Sequence, residues 1–435
     1  MKALLTLAWH SAWNRRFVLA LVVASIALST LLLLGIERIR QDVRSNFSQA
    51  VSGTDLIVGA RTGSVQLLLY SVFRIGSATN NIRWASAQTL AQHRAVAWAV
   101  PISLGDSHRG FAVMGTTADY FTHFRYGTRE PLRLAQGRAF DGALAPGGAA
   151  APMGVAGVFE AVIGAEVAQR LGYQLQQRVV LSHGDGAFAA NDHADKPFTV
   201  VGILAATGTP VDRTVHISLQ GMAAIHLDWR AGAPLPGQAV SAEDAAARDL
   251  TPRTLTAVLL GLKNRAAVFA VQRDVAAFRD EPLLAILPGV ALDELWDLVG
   301  AGERGLLLMS ALVSVVSLAG LVAVILAGLN ERRRELAILR AVGAGPRQVL
   351  ALLALEGALV TACGVLVGAL AGAAVLGLSA GWVQSRFGIH LSLGAPTLAE
   401  WQWMGAVLLG GWLASLVPGW RAYRLSLADG LSPRI

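Results

Sequence analysis

Cysteine and lysine are scarce in this sequence. The one cysteine, Cys363, excludes an intrachain disulfide, and it lies in an apolar stretch that gives no information on the redox compartment. The only lysines are Lys2, Lys196 and Lys263, and none belongs to the glycine-rich, Lys-Ser/Thr loop that cradles nucleotide phosphates. We therefore expect no ATPase site in the chain. No Ser-His-Asp or Cys-His arrangement predicts other catalytic residues.

Charge of either sign is also sparse. Charged residues make up 15% of the 435 residues, hydrophobic residues make up 54%, and the mean hydropathy is +0.51. The apolar residues are grouped, which is typical of an integral membrane protein with a soluble portion. The net charge of +7 comes mainly from arginine. No basic stripe with interleaved aromatics is present, so we expect contacts with membrane lipids and none with nucleic acid.

Four apolar stretches are long enough to cross a bilayer, and they predict transmembrane helices at residues 17–36, 305–329, 349–378 and 402–420. Arginines precede the first stretch, separate the second from the third, and follow the fourth. Because basic residues are retained inside, both termini are expected in the cytoplasm. A cleaved signal peptide is the alternative for the N-terminus, but no small-residue cleavage site follows the apolar run.

The remaining segments complete this topology. They are a cytoplasmic interfacial helix (1–16), an extracytoplasmic domain (37–304), a cytoplasmic loop (330–348), a short external loop (379–401) and a cytoplasmic tail (421–435). Short apolar runs broken by Gly, Pro, Asn and Asp indicate an α+β domain in the extracytoplasmic part. The predicted fold class is an α-helical membrane protein with four transmembrane helices and a large extracytoplasmic α+β domain inserted between the first and second.

Within the α+β domain, residues 198–204 are predicted to form a strand and residues 161–171 a helix. Residues 37–47 and 293–303 continue the helical pattern of the adjoining spans, which predicts two stiff connections to the membrane. In the cytoplasmic loop, residues 332–342 can form a helix. Gly343 and Gly345 suit its end, and Pro346 suits the first turn of the next helix.

The cytoplasmic loop resembles the signature of FtsX-like or MacB-like permeases, the family of the macrolide exporter, the lipoprotein-release permeases and the cell-division permease. The matching residues are Glu331, Arg332, Arg334, Glu335, Leu336, Ala337, Leu339, Arg340, Ala341, Val342, Gly343, Ala344, Val349 and Glu356. A second match lies at the C-terminus, at Pro418, Arg421, Ala422, Arg424, Leu425 and Leu431. Leu427 and Gly430 depart from the pattern there, where proline and alanine are usual.

The resemblance implies a permease of an ATP-binding-cassette (ABC) system in the bacterial inner membrane. Such a permease works as a dimer, with an identical or a different second permease subunit, and with two separate cytoplasmic ATPase subunits. It binds no cofactor itself, since ATP and Mg²⁺ belong to the ATPase. The ATPase-coupling residues implied are Glu331, Arg332, Arg334, Glu335, Leu336, Leu339, Arg340, Gly343 and Ala344. Hydrophobic or envelope cargo such as a lipoprotein, lipid, peptide or drug is implied, with a periplasmic adaptor or substrate protein as a further partner.

Two alternatives stay open for the function. One is a signalling scaffold that regulates a periplasmic partner such as a cell-wall hydrolase, and the other is a metal-handling envelope protein. The second rests on His183, Asp185 and His193, because imidazoles with nearby carboxylates can bind a divalent metal. The same residues can also be read as a polar hairpin loop. His216 and His226 are interpreted as histidines with satisfied hydrogen bonds in the core or on the surface.

Glu356 is the acid within the third apolar stretch. That stretch is longer than a bilayer requires, so its first turns are expected near the cytoplasmic headgroups, with Glu356 among them. An acid at the bilayer midplane would instead indicate a functional site. Small residues further along the stretch, including Gly364, Gly368 and Gly372, predict close helix packing within the subunit or across a dimer.

Overall fold

Two compact units make up the chain in the computed structural model. The structure describes residues 16–50, 52–141, 154–183, 192–230, 233–234, 240–331, 338, 340–387 and 391–424. A helical unit is formed from residues 1–43 and 299–435, and a sheet-rich unit from residues 44–298. The sheet-rich unit is thus inserted in sequence between the first and second long helices of the other unit.

Long helices supply the helical unit, and short ones accompany the sheet. In the described residues the helices are α1 Arg16–Ala50, α2 Ser64–Leu68, α3 Trp84–Ala91, α4 Asp119–His123, α5 Val155–Val158, α6 Ala165–Leu171, α7 Leu219–Ile225, α8 Ala242–Ala246, α9 Val268–Ala276, α10 Pro288–Glu331, α11 Pro346–Phe387 and α12 Leu398–Arg424. A π-helical turn, Leu69–Phe73, follows α2, and 3₁₀ turns lie at Pro210–Arg213 and Arg265–Ala267. Helices α1, α10, α11 and α12 are long and apolar enough to cross a membrane.

The helical unit has its own apolar core. Inward-facing leucines, valines and isoleucines of the four long helices form it, among them Leu33, Leu321 and Leu353. Other large apolar side chains point outward, as at Val316 and Leu370, which are 70% and 63% exposed. A helix that is apolar both inside and outside the bundle suits a lipid environment, where its backbone hydrogen bonds are all internal.

Glycine lets the helices of this unit approach closely. A Cβ atom on Gly364 would lie 2.7 Å from the Cβ of Ile26, and one on Gly368 would lie 2.5 Å from the carbonyl oxygen of Ala27. Both contacts join α11 to α1 within one subunit. Gly372, one turn further along, has no atom within 4 Å of its Cβ position. Small residues thus remove the steric barrier at two defined points of the helix pair.

An eleven-stranded mixed sheet organises the other unit. The strands of the described residues are β1 Leu56–Ala60, β2 Ile82–Arg83, β3 Val96–His108, β4 Phe111–Thr116, β5 Arg125–Tyr126, β6 Glu130–Pro131, β7 Leu134–Gly137, β8 Glu160–Ile163, β9 Arg178–Val179, β10 Ser182–His183, β11 Phe198–Leu204, β12 Thr214–Ser218, β13 Trp229–Arg230, β14 Ala233–Pro234, β15 Thr254–Leu255, β16 Ala257–Leu262 and β17 Leu283–Ile286. The main path runs β17-β1-β16-β3-β4-β12-β8-β11-β7, with β10 paired to β3 and β9 to β11. The β4–β12 and β8–β11 pairs are parallel, and the others are antiparallel.

Apolar clusters on this sheet bury most of the strands. One packs α6 and α7 against β8, β11 and β12, and it contains Ala161 and Ile163 of β8. Another packs α3 and α9 against β1, β16 and β17. A third surrounds Tyr70 and Tyr120 and extends to Phe47 and Trp296, which belong to α1 and α10. Burial on this scale anchors short strands that would not be stable alone.

The helix predicted at residues 161–171 is wrong in its first part. Residues 160–163 form β8, Gly164 caps the helix that follows, and α6 begins at Ala165. The β-branched pair Val162 and Ile163 favours a strand, and both side chains are fully buried. The strand predicted at residues 198–204 is confirmed.

Candidate functional site

The predicted coupling loop is described only in part. Residues 332–337 and 339, which include Arg332, Arg334, Glu335, Leu336 and Leu339, lie outside the described residues. The N–H of Gly343 donates to the carbonyl oxygen of Arg340 at 3.1 Å, and Gly343 has a φ of +106°. This left-handed residue ends a helical turn, as glycine commonly does. Pro346 is the first residue of α11, in the place that proline favours.

Two further predicted residues can be placed, Ala344 in the loop and Glu356 in α11. Ala344 is half-buried, one residue past the left-handed glycine. Glu356 is buried in the helical unit, with 6% of its surface exposed, and its neighbour Gly357 lies against Ser415 of α12. The acid is therefore enclosed by the helix bundle of its own subunit. Its predicted role among the headgroups stays a prediction.

A buried ion pair that sequence reasoning missed lies near the other end of the bundle. The Arg38 guanidinium donates to the Glu400 carboxylate at 3.0 Å, and both side chains are less than 10% exposed. Asp42 accepts hydrogen bonds from the N–H and the hydroxyl of Ser392, which lies between α11 and α12. The remaining Arg38 donors reach carbonyl oxygens between α11 and α12, those of Ser392, Gly394 and Ala395. This network fastens that loop to α1.

Aromatic side chains join the two long helices inside the sheet-rich unit. The Phe47 ring stacks on Phe73 at 4.2 Å between centroids and meets the Trp296 ring edge-on at 5.5 Å. The Arg44 guanidinium lies 5.3 Å from the Trp296 ring centroid, within cation–π range. We call Arg44, Phe47, Phe73 and Trp296 the aromatic junction. It connects α1 and α10 to the apolar cluster around Tyr70 and Tyr120.

A histidine–carboxylate cluster lies at one side of the sheet. It consists of Asp106, His183, His193 and His226, whose candidate ligand atoms all lie within 4.8 Å of one another. His183 on β10 is directly opposite Asp106 on β3 in the antiparallel register. One extra residue in β3, between Leu104 and Ser107, interrupts the ladder to β4 beside Asp106. Bulges of this kind redirect a side chain.

Two other elements bring in the remaining histidines. Asp192 forms an antiparallel bridge with Ser182 of β10. His193 comes next, and its N–H donates to the Leu181 carbonyl oxygen at 2.8 Å. His226 comes directly after the buried helix α7. The cluster therefore combines side chains from four segments of the fold.

The electrostatics of the cluster follow from burial and hydrogen bonding. Burial raises the pKa of Asp106, but hydrogen bonds from His183 and His226 outweigh it and hold the pKa at about 2. Burial lowers the pKa of His193 to about 4. Burial also opposes protonation of His226, yet the hydrogen bond to Asp106 raises its pKa overall. At neutral pH the cluster thus holds one carboxylate and at least one neutral imidazole.

The sequence-predicted histidines fare differently. The structure brings His183 and His193 together, while Asp185 lies outside the described residues. His226 has hydrogen-bond partners, as its interpretation expects, and it also belongs to the cluster, because its Nε2 lies 3.2 Å from His183 Nδ1. His216 is a core histidine, fully buried, with its Nδ1 3.2 Å from the Val162 carbonyl oxygen and a pKa lowered by burial to about 3.

The fold and these sites define a membrane protein with four apolar helices and a large sheet-rich domain. A model of the MacB-like periplasmic core domain matches residues 18–277, more than half of the chain. A model of the FtsX-like permease C-terminal domain matches residues 307–427. The chain belongs to the family of FtsX-like and MacB-like ABC transporter permeases.

The chain is similar to the periplasmic region of MacB from Actinobacillus actinomycetemcomitans, at 10% identity over 57% of this chain and 95% of that one, with a TM-score of 0.34. It is also similar to the extracellular domain of the noncanonic ABC-type transporter YknZ from Gram-positive bacteria, at 10% identity over 54% and 99%, with a TM-score of 0.30. A search of curated proteins gives no significant match.

Proposed function

We propose that this protein is the permease subunit that couples ATP hydrolysis by separate ATPase subunits to movement of its sheet-rich unit. The observation that carries the proposal is the pair of family matches, one to a MacB-like periplasmic core and one to an FtsX-like permease C-terminal domain. The second match spans the whole loop between α10 and α11. A chain with both parts contains an element for receiving force and an element that acts outside the membrane.

Energy enters through the loop between α10 and α11. In this proposal Arg334, Glu335 and their neighbours seat a short helix in a groove of the cytoplasmic ATPase. The described end of the loop supports it, since Gly343 ends a helical turn and Pro346 starts α11 three residues later. A tight turn between two helices transfers displacement better than a flexible segment does.

Displacement then passes along α1 and α10. Each is one unbroken helix with residues in both units. Within the helical unit the Ser25 and Ser317 hydroxyls are hydrogen-bonded at 2.9 Å, and within the sheet-rich unit Phe47 packs on Trp296. The two helices are thus in contact inside each unit. We propose that they move together and that the aromatic junction delivers the movement to the sheet.

The arginine distribution supports an orientation with both termini in the cytoplasm and the sheet-rich unit outside the bacterial inner membrane. The cargo is then handled outside the membrane by this unit, in a dimer with a second permease subunit. Its chemical class is hydrophobic or envelope material such as a lipoprotein, lipid, peptide or drug. An adaptor or substrate protein in the periplasm is a further partner in this proposal.

Charge reversal in the loop tests the proposal. The permease is co-purified with its ATPase, reconstituted in lipid nanodiscs, and assayed for complex assembly and ATP turnover. We expect Arg334→Glu and Glu335→Arg to reduce both, because a charged docking surface loses its complementarity. Arg347→Glu is the matched control, since Arg347 is exposed in the same loop region outside the resemblance. Unchanged assembly and turnover in both loop variants would contradict the docking role.

A further inference from the structure

The histidine–carboxylate cluster has the composition and spacing of a metal site. We propose that Asp106, His183, His193 and His226 bind one divalent transition-metal ion of the zinc class. The proposal is independent of the transport function, since it rests on the sheet-rich unit alone. Three imidazoles and one carboxylate form a ligand set that zinc accepts in tetrahedral geometry.

Distances between the donor atoms carry the argument furthest. His183 Nδ1 lies 3.0 Å from Asp106 Oδ1 and 3.2 Å from His226 Nε2, and His226 Nε2 lies 3.4 Å from Asp106 Oδ1. In a tetrahedral site with metal–nitrogen bonds of about 2.0–2.1 Å, neighbouring donor atoms are about 3.3–3.4 Å apart. Three of the four ligands therefore already form nearly one face of such a tetrahedron.

A hydrogen bond to the backbone of α7 orients His226 for coordination. Its Nδ1–H donates to the Met222 carbonyl oxygen at 2.8 Å, so Nε2, which faces Asp106 and His183, is the nitrogen that would bind a metal in place of a proton. Metal-bound histidines usually make this kind of hydrogen bond with the nitrogen that does not bind the metal. The arrangement is set by the backbone of α7 and needs no rotation of the ring.

The fourth position is supplied by His193, a buried histidine whose ring nitrogens have no hydrogen-bond partner among the described residues. His193 is 0% exposed. Asp106 Oδ2 is likewise buried without a partner in the described part of the chain. Unsatisfied buried polar atoms are costly and uncommon in folded proteins. A cation within the cluster would satisfy both groups at once.

Packing around the cluster is firm on one side and open on the other. The Trp229 indole lies 4.4 Å from the His193 ring and 5.6 Å from the His183 ring, measured between centroids. Leu181 lies two residues before His183, and Ile225 lies directly before His226. Both are fully buried in one apolar cluster. The side chains of His183 and His226 are 32% and 29% exposed. Among the described residues, these two partly exposed rings leave a route by which an ion can reach the site from solvent.

The charge balance favours a cation. The nearby ammonium of Lys196 is fully buried and is paired with Asp195 at 2.5 Å and Asp228 at 2.9 Å. Its charge is thus neutralised, and the Asp106 carboxylate remains for the metal. Magnesium and calcium prefer sites built of oxygen atoms alone, so three imidazoles select against them. Zinc, cobalt, nickel and copper are the ions that fit this donor set.

Cobalt titration of the full-length chain tests the site. The protein is purified in detergent with a tag that contains no histidine, stripped with a chelator, and titrated with Co²⁺ while its visible absorption is recorded. We expect one Co²⁺ per chain with the intense d–d bands of tetrahedral coordination, and displacement by Zn²⁺. His183→Gln and His226→Ala should weaken cobalt binding by about 100-fold or more, because each removes a ligand.

The matched control is His93→Ala. His93 also faces a carboxylate, that of Asp274 at 3.3 Å, but lies outside the cluster, so its loss should leave binding unchanged. Thermal unfolding in chelator checks that each variant is folded. If His226→Ala does not fold, His183→Gln decides, since that side chain is partly exposed and glutamine fills its space. No tetrahedral band in the wild-type chain at micromolar cobalt, or equal binding by folded His183→Gln, would overturn the proposal and leave a hydrogen-bonded cluster only.

Discussion

At the scale of single residues, two glycines of α11 differ in the space around their Cβ positions. Gly368 lies against the backbone of α1, 2.5 Å from the Ala27 oxygen at its Cβ position, whereas Gly372 faces open space. Gly368→Leu should therefore force the helices apart and lower the free energy of unfolding by about 1–3 kcal/mol or more. Gly372→Leu is the control and should leave it unchanged. The measurement is the thermal unfolding midpoint of each variant in the same detergent.

If the unfolding midpoint falls equally in both variants, leucine destabilises α11 at either position. Close packing of Gly368 against α1 would then not explain the effect. A third result is also informative. If Gly372→Leu keeps its unfolding midpoint but no longer assembles as a dimer, then the open face of α11 is covered by a second subunit.

Residue-level features were predictable only where the chemistry is local. The stripe of small residues in α11 predicts close packing but does not identify the partner helix. The structure places Gly364 and Gly368 against α1. His183 and His193 stand out because they are near one another in sequence. Asp106 is 77 residues before His183, and His226 is 43 residues after it. No local pattern links residues so far apart. Arg38 and Glu400 escaped prediction for the same reason.

At the scale of elements, the aromatic junction is the place where the proposed transmission of movement can be tested. Phe47→Ala and Trp296→Ala remove the ring contact between α1 and α10 in the sheet-rich unit. We expect the complex to assemble and hydrolyse ATP while transport or partner activation falls several-fold, because force no longer reaches the sheet. The measurement is ATP turnover beside the cargo or partner assay in nanodiscs.

Phe269→Ala serves as the control for this pair. Phe269 is also an aromatic residue of the sheet-rich unit, but it is 66% exposed on α9 and lies outside the junction. Full coupling in both junction variants would exclude the aromatic contact from the path of force. Loss of ATP turnover as well would indicate a folding defect, which thermal unfolding detects.

Element boundaries show where pattern reading succeeds and fails. The run from Phe198 to Leu204 follows Lys196 and Pro197 and is rich in β-branched residues, which predicts the strand that it forms. The run from Ala161 to Leu171 has apolar residues at spacings that suit a helix throughout. Gly164 lies between the strand and the helix that this run forms. Glycine is needed there because a Cβ atom would lie 2.3 Å from the Asp212 carbonyl oxygen. That contact is made by a distant segment and leaves no periodic trace in the sequence.

At the scale of the whole molecule, the orientation of the two units in the membrane can be measured. In a Cys363→Ala background, single cysteines are introduced at Gln174 in the sheet-rich unit and at Val342 beside the loop, both of which are exposed. With both termini inside, a membrane-impermeant thiol reagent added to intact spheroplasts should label Gln174→Cys and not Val342→Cys.

Detergent permeabilisation provides the control for this labelling. Both cysteines should react once the membrane is opened, since both side chains replaced are exposed. Labelling of Val342→Cys in intact spheroplasts would reverse the proposed topology and place the coupling loop on the wrong side for a cytoplasmic ATPase.

The architecture as a whole was predictable because lipid imposes long apolar runs that composition reveals. Four such runs and one large insertion follow from hydropathy alone, and the four apolar helices confirm the runs. The order of the sheet was not predictable. Strand β1 pairs with β16 and β17, which lie about 200 residues later in the chain. Pairings of that range depend on the complete core, and no neighbouring residues encode them.

The length of α10 has a consequence for sensitivity. Its 44 residues give a rod of about 66 Å at a rise of about 1.5 Å per residue. If one end of such a rod pivots by about 5°, the other end sweeps through about 6 Å, roughly the height of one helical turn. In the proposed mechanism the helix would be a lever arm, which multiplies a small angular change. Inserting or deleting one turn would alter the lever ratio in a graded way, and an introduced proline would replace the arm by a hinge.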